Sequence, residues 1–279
     1  MSSVTGRINS FKQPRGGFIK PSQLEVVVLK DSTVLNEEEN INASIVGTAV
    51  DYLTRLVIGT DKDKAFDISL QGASRAEEFG EENAYNIALN ILNDINGVDE
   101  NSVINACKLV RFDVWRRNPA AALMAKNSPE TYPDQATIQN IQVLVKRSVS
   151  FFDKYGPITK DGFTFEPIKQ NAKAYEKMIK TGKGTYGGYT ATVNSGDGDF
   201  LTADTLWDFK VSKSKPTNKH TLQLLMYWIM GQHSGQEFYK SITKLGIFNP
   251  RLNTVYLLDI KNISDEIIET VEKEVICYE

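Results

Sequence analysis

The spacing of apolar residues along the chain changes near residue 160. Before that point, apolar side chains recur every three or four positions, which is the period of an amphipathic helix. One such stripe comprises Ile41, Ile45, Ala49, Tyr52, Leu53 and Leu56. Beyond residue 160, short runs alternate between apolar and polar residues or are apolar on both faces, as β-strands are. The pattern predicts an irregular N-terminal arm over residues 1–35, a helical region over 36–160, and a mixed α/β core over 161–279.

The same pattern predicts several individual elements. The first helix is expected to begin near Asn36, because three glutamates follow at residues 37–39 and acidic residues are favoured in a first helical turn. Residues 237–245 predict a further helical segment, and residues 253–260 predict a central strand that is apolar on both faces. A last helix is expected to open at Ser264, which two acidic residues follow.

The stretch TLWDFKV, residues 205–211, predicts a strand. Successive side chains of a strand point to opposite faces, so Asp208 and Lys210 share one face. The other face carries Trp207, Phe209 and other apolar residues, and we expect it to lie against a core. The strand therefore directs a carboxylate and an ammonium group into the same small volume.

A turn at residues 202–204 is expected to set Asp199 beside Asp208 on adjacent strands. Two carboxylates about 4 Å apart repel by about 4 kcal/mol at an effective dielectric constant of about 20, and a hard divalent cation relieves that repulsion. Such a cation acidifies a bound water and neutralises charge on a phosphodiester, while Lys210 would hold the water or a phosphate oxygen. The alternative is a surface hairpin whose charges are solvated or paired, which contributes little.

A helix is predicted from near Lys219 to about His233. It is apolar almost all round, which is typical of a buried helix. Three polar residues share one of its faces at helical spacing, namely His220, Gln223 and Tyr227. Because buried polar side chains need partners, the strand that precedes the helix is expected to supply them.

Composition and charge narrow the classes of function. The chain of 279 residues is 41% hydrophobic and 24% charged, which is ordinary for a globular protein, and its net charge of −3 means that any nucleic-acid surface must be a local patch. Cys107 and Cys277 are too few for a four-cysteine zinc or iron–sulfur site built from one chain. No apolar run is long enough to span a membrane and no signal-peptide pattern is present, so a cytoplasmic location is expected.

The order of these motifs resembles that of a known family. Asp199, then Asp208-Phe209-Lys210, then Gln223 and Tyr227 are similar to the pattern of the PD-(D/E)XK nuclease superfamily. More narrowly, they resemble its RecB-like branch, in which a QxxxY helix follows the DxK strand. The resemblance covers residues 160–279 and, loosely, 36–55. It implies a restriction-endonuclease-like core, with a central mixed sheet flanked by helices, and places a helical insertion in the remainder of the helical region.

The resemblance also assigns roles to residues. Asp199 and Asp208 would bind Mg²⁺ or Mn²⁺, Lys210 would assist the nucleophile, and Gln223 and Tyr227 would line the site.

Two more metal ligands are suggested, the backbone carbonyl of Phe209 and the side chain of Asp51. RecB-like enzymes often carry Gly-x-x-x-His in their first helix, and Asp51 stands where that histidine would be, four residues after Gly47. An aspartate can ligate Mg²⁺. An ion pair between Asp51 and Arg55, one helical turn further on, is the alternative.

A basic stripe is predicted to contact the substrate. It comprises Lys169, Lys173, Lys177 and Lys180, on a helix expected over residues 168–181. Together with His220 it is interpreted as a nucleic-acid-binding surface, with DNA favoured over RNA. A solvated lysine face is the alternative.

The sequence therefore predicts a metal-dependent deoxyribonuclease that lacks an iron–sulfur cluster and does not associate with a membrane. Phage defence, a mobile element and recombination repair would all suit such an enzyme. One alternative is a catalytically inactive protein with the nuclease fold that binds nucleic acid. Another is an interaction subunit whose helical region docks a protein partner. The sequence leaves open the oligomeric state and whether strand ends or interiors are cut.

Overall fold

The computed structural model of the protein describes residues 2–125 and 132–279. The chain forms two compact units: Met1–Leu29 joins Lys154–Glu279 in one, which we call the sheet unit, and Lys30–Asp153 forms the other, the helical unit. Residues 126–131, within the predicted helical region, lie outside the described residues. None of the described helices is both long and apolar enough to cross a membrane.

The elements follow one another along the chain with short connections. The first part contains β1 (Ser2–Ser3), α1 (Val4–Ser10), β2 (Glu25–Val28), α2 (Ala43–Val57), α3 (Lys62–Ala65), α4 (Asp67–Glu78), α5 (Ala84–Asn93), α6 (Glu100–Leu109), α7 (Asp113–Arg117), α8 (Pro119–Ala125) and α9 (Gln135–Tyr155). The second part contains β3 (Lys160–Phe163), α10 (Ala172–Thr181), β4 (Thr185–Tyr186), β5 (Tyr189–Thr190), β6 (Val193–Ser195), β7 (Gly198–Leu201), β8 (Thr205–Phe209), α11 (Asn218–Ser234), β9 (Lys244–Asn249), β10 (Thr254–Asp259) and α12 (Asp265–Thr270).

Six strands of the sheet unit form one mixed sheet in the order β2-β10-β9-β8-β7-β3. Only β8 and β9 run parallel among these neighbours, and the other pairs are antiparallel. Two parallel neighbours need a crossover connection, which α11 supplies by packing on both strands. The mixed α/β class with a central mixed sheet and flanking helices is thereby confirmed.

The main apolar core of the sheet unit lies between the sheet and α11. Its members include Leu206 of β8, Leu245 of β9 and, from α11, Leu222, Leu225 and Met226, all of which are buried. The prediction of a buried helix near residues 219–233 is confirmed by α11. The helix ends where Gly235 adopts a φ of +75°, which glycine accepts without the penalty that a Cβ would bring.

The predicted helical segment over residues 237–245 is wrong. A single 3₁₀ turn at Glu237–Tyr239 is followed by β9, whose residues are almost all buried. Gly246 lies inside β9 opposite Trp207, and a Cβ there would come within 2.4 Å of the indole ring. The glycine therefore admits the large ring of the neighbouring strand instead of ending a helix.

The N-terminal residues are more ordered than the predicted irregular arm. They contain α1, and β2 is paired with β10 at the edge of the central sheet, from Thr254 opposite Val28 to Leu257 opposite Glu25. This pairing joins residues more than 200 positions apart in sequence, so local patterns do not reveal it.

The first long helix begins later than predicted. Asn42, not Asn36, precedes α2, and its side chain accepts a hydrogen bond from the backbone N–H of Ser44 at 2.9 Å. Asn36 is instead tied to Asn140 of α9, whose Oδ1 accepts the Asn36 backbone N–H at 2.7 Å. The side-chain amide of Asn140 returns a bond to the Asn36 carbonyl at 3.0 Å, so a tertiary contact holds this segment outside the helix.

Candidate active site

The β7–β8 hairpin brings the two predicted aspartates to neighbouring strands. Phe200 lies opposite Trp207 in the antiparallel register, and continuing that register by one residue places Asp199 opposite Asp208. Opposite residues in such a pair present their side chains on the same face. Oδ2 of Asp199 accepts a hydrogen bond from the backbone N–H of Phe209 at 2.6 Å, which fixes this carboxylate at the end of β8.

Asp208 is buried although it carries a carboxylate. Only 3% of the residue is exposed, and its Oδ1 lies 2.9 Å from Nζ of Lys210. Its Oδ2 is also buried, and no described residue donates a hydrogen bond to it. A buried acceptor without a partner costs about 1–3 kcal/mol, and more when it is charged. A bound cation or an ordered water would remove that cost.

Both faces of β8 are buried, which differs from the prediction that only the face of Trp207 meets a core. Leu206, on the face of Asp208, belongs to the main apolar core under α11. Trp207 packs on the other face against the rings of Phe200 and Tyr155. The carboxylate of Asp208 thus lies in apolar surroundings, where electrostatic interactions are screened less than in water.

Lys210 lies just beyond the end of β8. Its backbone N–H donates to the carbonyl of Phe248 at 2.9 Å, which extends the parallel pairing with β9. Two residues separate Lys210 from Asp208, so both side chains lie on the same face. The lysine side chain remains 30% exposed, against 4% for that of Asp208. Its ammonium group is therefore held between a buried carboxylate and solvent.

Helix α11 contributes a hydrogen-bonded pair to the same region. Nε2 of Gln223 donates to the hydroxyl oxygen of Tyr227 at 2.8 Å, and Tyr227 is buried. Burial raises the pKa of Tyr227 well above its usual value, and the negative charges of Asp208 and Asp199 raise this pKa further. Because such effects weaken with distance, both carboxylates lie near the same hydroxyl group. The convergence of these residues, which the sequence predicts, is present in the structure.

His220 lies in the first turn of α11. Its Nδ1 accepts a hydrogen bond from the backbone N–H of Thr217 at 3.1 Å, so the neutral ring carries its proton on Nε2. Burial lowers the pKa of His220, the positive charge of Lys210 lowers this pKa further, and the charge of Asp208 partly opposes both effects. The imidazole is consequently neutral near pH 7 and has an N–H to donate.

Asp51 lies in the helical unit, on α2. Its Oδ1 is 2.9 Å from Nε of Arg55, one helical turn away, which is the ion pair named as the alternative to metal binding. Its assignment as a metal ligand stays a prediction.

The lysine stripe is only partly helical. Helix α10 begins at Ala172, so Lys169 precedes it, whereas Lys173, Lys177 and Lys180 lie on it. All four lysines are exposed. The later start follows from Asn171, whose side chain caps the helix by accepting the backbone N–H of Ala174. Nucleic-acid binding by this stripe stays a prediction.

Two aromatic residues that the sequence did not single out position Tyr227. The ring of Phe163 meets the tyrosine ring edge-on at 5.8 Å, and the ring of Phe165 lies 5.5 Å from it. Both phenylalanines are buried, so they fix the tyrosine from the side of β3. Their alternation indicated a short strand, but nothing in the sequence connected them with α11.

The donor set suits a hard divalent cation. Asp199 and Asp208 offer carboxylate oxygens, and Mg²⁺ takes one or two carboxylates together with water and phosphate oxygens. Throughout the described ranges, no group of three or more His, Cys, Asp or Glu side chains is arranged to hold a metal ion. A cation bound by the two aspartates would thus complete its coordination with other oxygens, and the buried Oδ2 of Asp208 is a ligand atom in need of a partner.

Comparisons of the chain with protein-family models, with curated proteins and with solved structures find no match. The class that the fold and the site define is therefore stated from the structure alone: a mixed α/β protein with a buried Asp–Asp–Lys cluster beneath a glutamine- and tyrosine-bearing helix.

Proposed function

We propose that the protein is a divalent-metal-dependent nuclease that hydrolyses phosphodiester bonds of DNA, and that its sheet unit is a restriction-endonuclease-like core of the RecB-like PD-(D/E)XK type. One observation carries the proposal. The buried carboxylate of Asp208 bonds Lys210 through one oxygen, while its other oxygen has no partner among the described residues. A purely structural buried ion pair is expected to satisfy both oxygens, because an unpaired one is costly.

In the proposed site, Asp199 and Asp208 hold Mg²⁺ or Mn²⁺. When bound, such an ion acidifies a water molecule and neutralises charge on the phosphoryl oxygens. Lys210 orients the attacking water or a non-bridging phosphate oxygen, and its partial exposure leaves its ammonium group accessible from solvent.

The residues of α11 order the same site from the other side. Gln223 holds the hydroxyl of Tyr227, which stays protonated because its pKa is raised. The neutral ring of His220 offers its Nε2–H to the substrate. The proposal needs neither Asp51 nor the Phe209 carbonyl, both of which stay predictions from the sequence.

Replacing Lys210 or Asp208 is expected to abolish cleavage. Lys210→Ala removes the group that orients the nucleophile, and Asp208→Asn removes a ligand charge at nearly constant volume. Loss of one preorganised contact of this kind costs about 10²–10³ in rate. The measurement is digestion of single-stranded, duplex and branched DNA, and of RNA, in Mg²⁺ or Mn²⁺.

The Asp204–Lys244 pair provides a matched control for this experiment. Its Oδ2–Nζ distance is 2.8 Å, close to that of the Asp208–Lys210 pair, but both side chains are more than 40% exposed. Asp204→Asn should therefore cut as fast as the wild type. Wild-type cleavage rates in Lys210→Ala or Asp208→Asn would refute the proposed site.

A second candidate is a nucleic-acid-binding protein that retains the nuclease fold without turnover. The ion pair between Asp208 and Lys210 favours it, because Lys210 already compensates the buried charge without a metal. This candidate predicts binding of nucleic acid without cleavage in the same digestion panel, whatever the divalent ion.

A further inference from the structure

Two acid-free segments of the sequence meet in the sheet unit. Residues 1–24 contain four Lys or Arg residues and no Asp or Glu, and residues 209–236 likewise contain four Lys and no Asp or Glu. The chain as a whole has a net charge of −3, so this positive charge is local. The first segment includes the residues that precede β2, and the second includes the start of α11.

Hydrogen bonds hold the two segments together. Nε2 of Gln13 donates to the carbonyl of Asn218 at 3.2 Å. The hydroxyl of Thr221 donates to the carbonyl of Ile19 at 2.7 Å, and this bond is buried. Residues 13–19 are therefore anchored across the first turn of α11 at both ends.

Close packing at a glycine reinforces this anchoring. Gly17 has a φ of +92°, and a Cβ at this position would lie 2.5 Å from Cβ of Asn218. Only a residue without a side chain permits that approach and that backbone conformation. The segment is thus a fixed part of the sheet unit.

The anchored segment borders the candidate active site. His220 lies between the two anchoring residues Asn218 and Thr221 on α11. The charges of Lys210 and Asp208 both affect the pKa of His220, so the ring lies close to the Asp–Asp–Lys cluster. A ligand that reaches that cluster therefore passes near the anchored segment.

Six cations of the two segments are exposed, and we call them the arm surface: Lys12, Arg15, Lys20, Lys213, Lys215 and Lys219. The other two are directed into the protein. Arg7 donates to the carbonyls of Val275 and Glu274 at 2.7 Å, and Lys210 pairs with Asp208. The arm surface thus combines several exposed positive charges with a rigid support.

The aromatic residues of this region do not form a stacking platform for bases. Phe11 and Phe18 stack on each other with centroids 6.1 Å apart, and both pack against the main apolar core. Recognition through exposed lysines and an arginine, without exposed rings, is typical of contacts to the phosphate backbone.

We propose that the arm surface binds the phosphodiester backbone of the nucleic acid whose scissile phosphate occupies the Asp199–Asp208–Lys210 cluster. This inference rests on the proposed function for the identity of the ligand, but its test does not depend on cleavage. It assigns substrate binding to the arm surface in addition to the lysine stripe of α10.

The test compares two triple variants of the full chain for binding of a fluorescently labelled duplex and a single strand of about 20 nucleotides, in EDTA, over a series of salt concentrations. Lys12→Ala/Arg15→Ala/Lys20→Ala should weaken duplex binding about tenfold or more and reduce the slope of log affinity against log salt by about 2 to 3, since each phosphate contact contributes about 0.9. Lys169→Ala/Lys173→Ala/Lys177→Ala, which also removes three exposed cations, is the matched control for net charge and should change the slope less.

The outcomes separate this inference from the proposed function. An arm variant that binds with the wild-type affinity and salt slope overturns the inference even if the wild type cleaves DNA. Reduced binding by the arm variant supports the arm surface even if the wild type cleaves nothing in Mg²⁺ or Mn²⁺. Poly-L-glutamate that displaces the duplex as well as unlabelled duplex does at equal charge would overturn the assignment to nucleic acid. Circular dichroism melting of each variant verifies that the fold is intact.

Discussion

At the scale of single residues, the candidate site depends on how few partners its charges have. Asp208 is compensated on one oxygen by Lys210, and His220 stays neutral close to that lysine. A second full positive charge in this buried volume would oppose the ammonium group, so burial and Lys210 together favour the uncharged imidazole. The site is thereby prepared for an anionic ligand and a cation, with a neutral donor beside them.

The protonation of His220 gives a testable dependence of stability on pH. Its pKa is lowered in the folded protein, so the unfolded chain binds the proton first, and the free energy of unfolding should fall as the pH decreases below about 6.5. His220→Gln should show a smaller decline between about pH 7.5 and pH 5.5 in urea denaturation. The other histidine, His233, pairs with Glu272 at the surface, and His233→Gln should retain at least the wild-type decline. Equal declines in His220→Gln and the wild type would contradict the assignment.

At the scale of elements, the parallel pair β8–β9 and its crossover helix determine where the site lies. The end of β8 carries Asp208 and Lys210, and α11 then returns the chain across the sheet with His220, Gln223 and Tyr227 on the side of the carboxylates. The register between β8 and β9 places Trp207 opposite Gly246, so the ring occupies space that any other residue of β9 would fill. Packing on the face away from the site therefore fixes the strand that presents the site.

Gly246→Ala is expected to destabilise the sheet unit. Its added Cβ would lie 2.4 Å from the Trp207 ring, and overpacking of this kind costs about 1–3 kcal/mol. Lys244→Ala, on the same strand, removes a largely exposed ion pair and should cost about 1 kcal/mol or less. Urea denaturation followed by tryptophan fluorescence measures both changes. A Gly246→Ala protein as stable as the wild type would show that the Trp207 ring moves without cost.

At the scale of the whole molecule, the chain divides its tasks between two compact units. The sheet unit holds the Asp–Asp–Lys cluster, α11 and the arm surface, and it draws on both ends of the sequence. The helical unit has polar networks of its own, such as Asp113, which accepts hydrogen bonds from Tyr52 at 2.7 Å and Ser69 at 2.6 Å. Binding of a ligand at the cluster is therefore expected to stabilise the sheet unit.

Mn²⁺ should raise the melting temperature of the protein. A ligand at about 100 times its dissociation constant adds about 2.7 kcal/mol to the stability of the state that binds it. Asp208→Asn should abolish this increase, whereas Asp204→Asn should retain it. Differential scanning calorimetry with and without Mn²⁺ is the measurement. An equal increase in wild type and Asp208→Asn would place any bound metal elsewhere.

Much of the candidate site follows from local sequence patterns. Strand alternation put Asp208 and Lys210 on one face, the turn at residues 202–204 predicted the hairpin with Asp199, and helical spacing put Gln223 and Tyr227 together. The strand β9 was predicted as a helix, because Gly246 has the appearance of a helix end when Trp207 is not known to lie opposite. The first helix was placed too early, because Asn36 and the glutamates after it suit a helix start until Asn140 is seen to hold that segment.

The sequence by itself determined the mixed class of the fold, the hairpin and the buried helix, because periods of two and of about 3.6 residues express which faces are buried. Only the tertiary structure decided that both faces of β8 are covered, that one oxygen of Asp208 lacks a partner, and that residues 13–19 lie on the start of α11. These features arise from contacts between residues far apart in the chain, such as Ile19 and Thr221, and no local pattern records which distant segments will pack together.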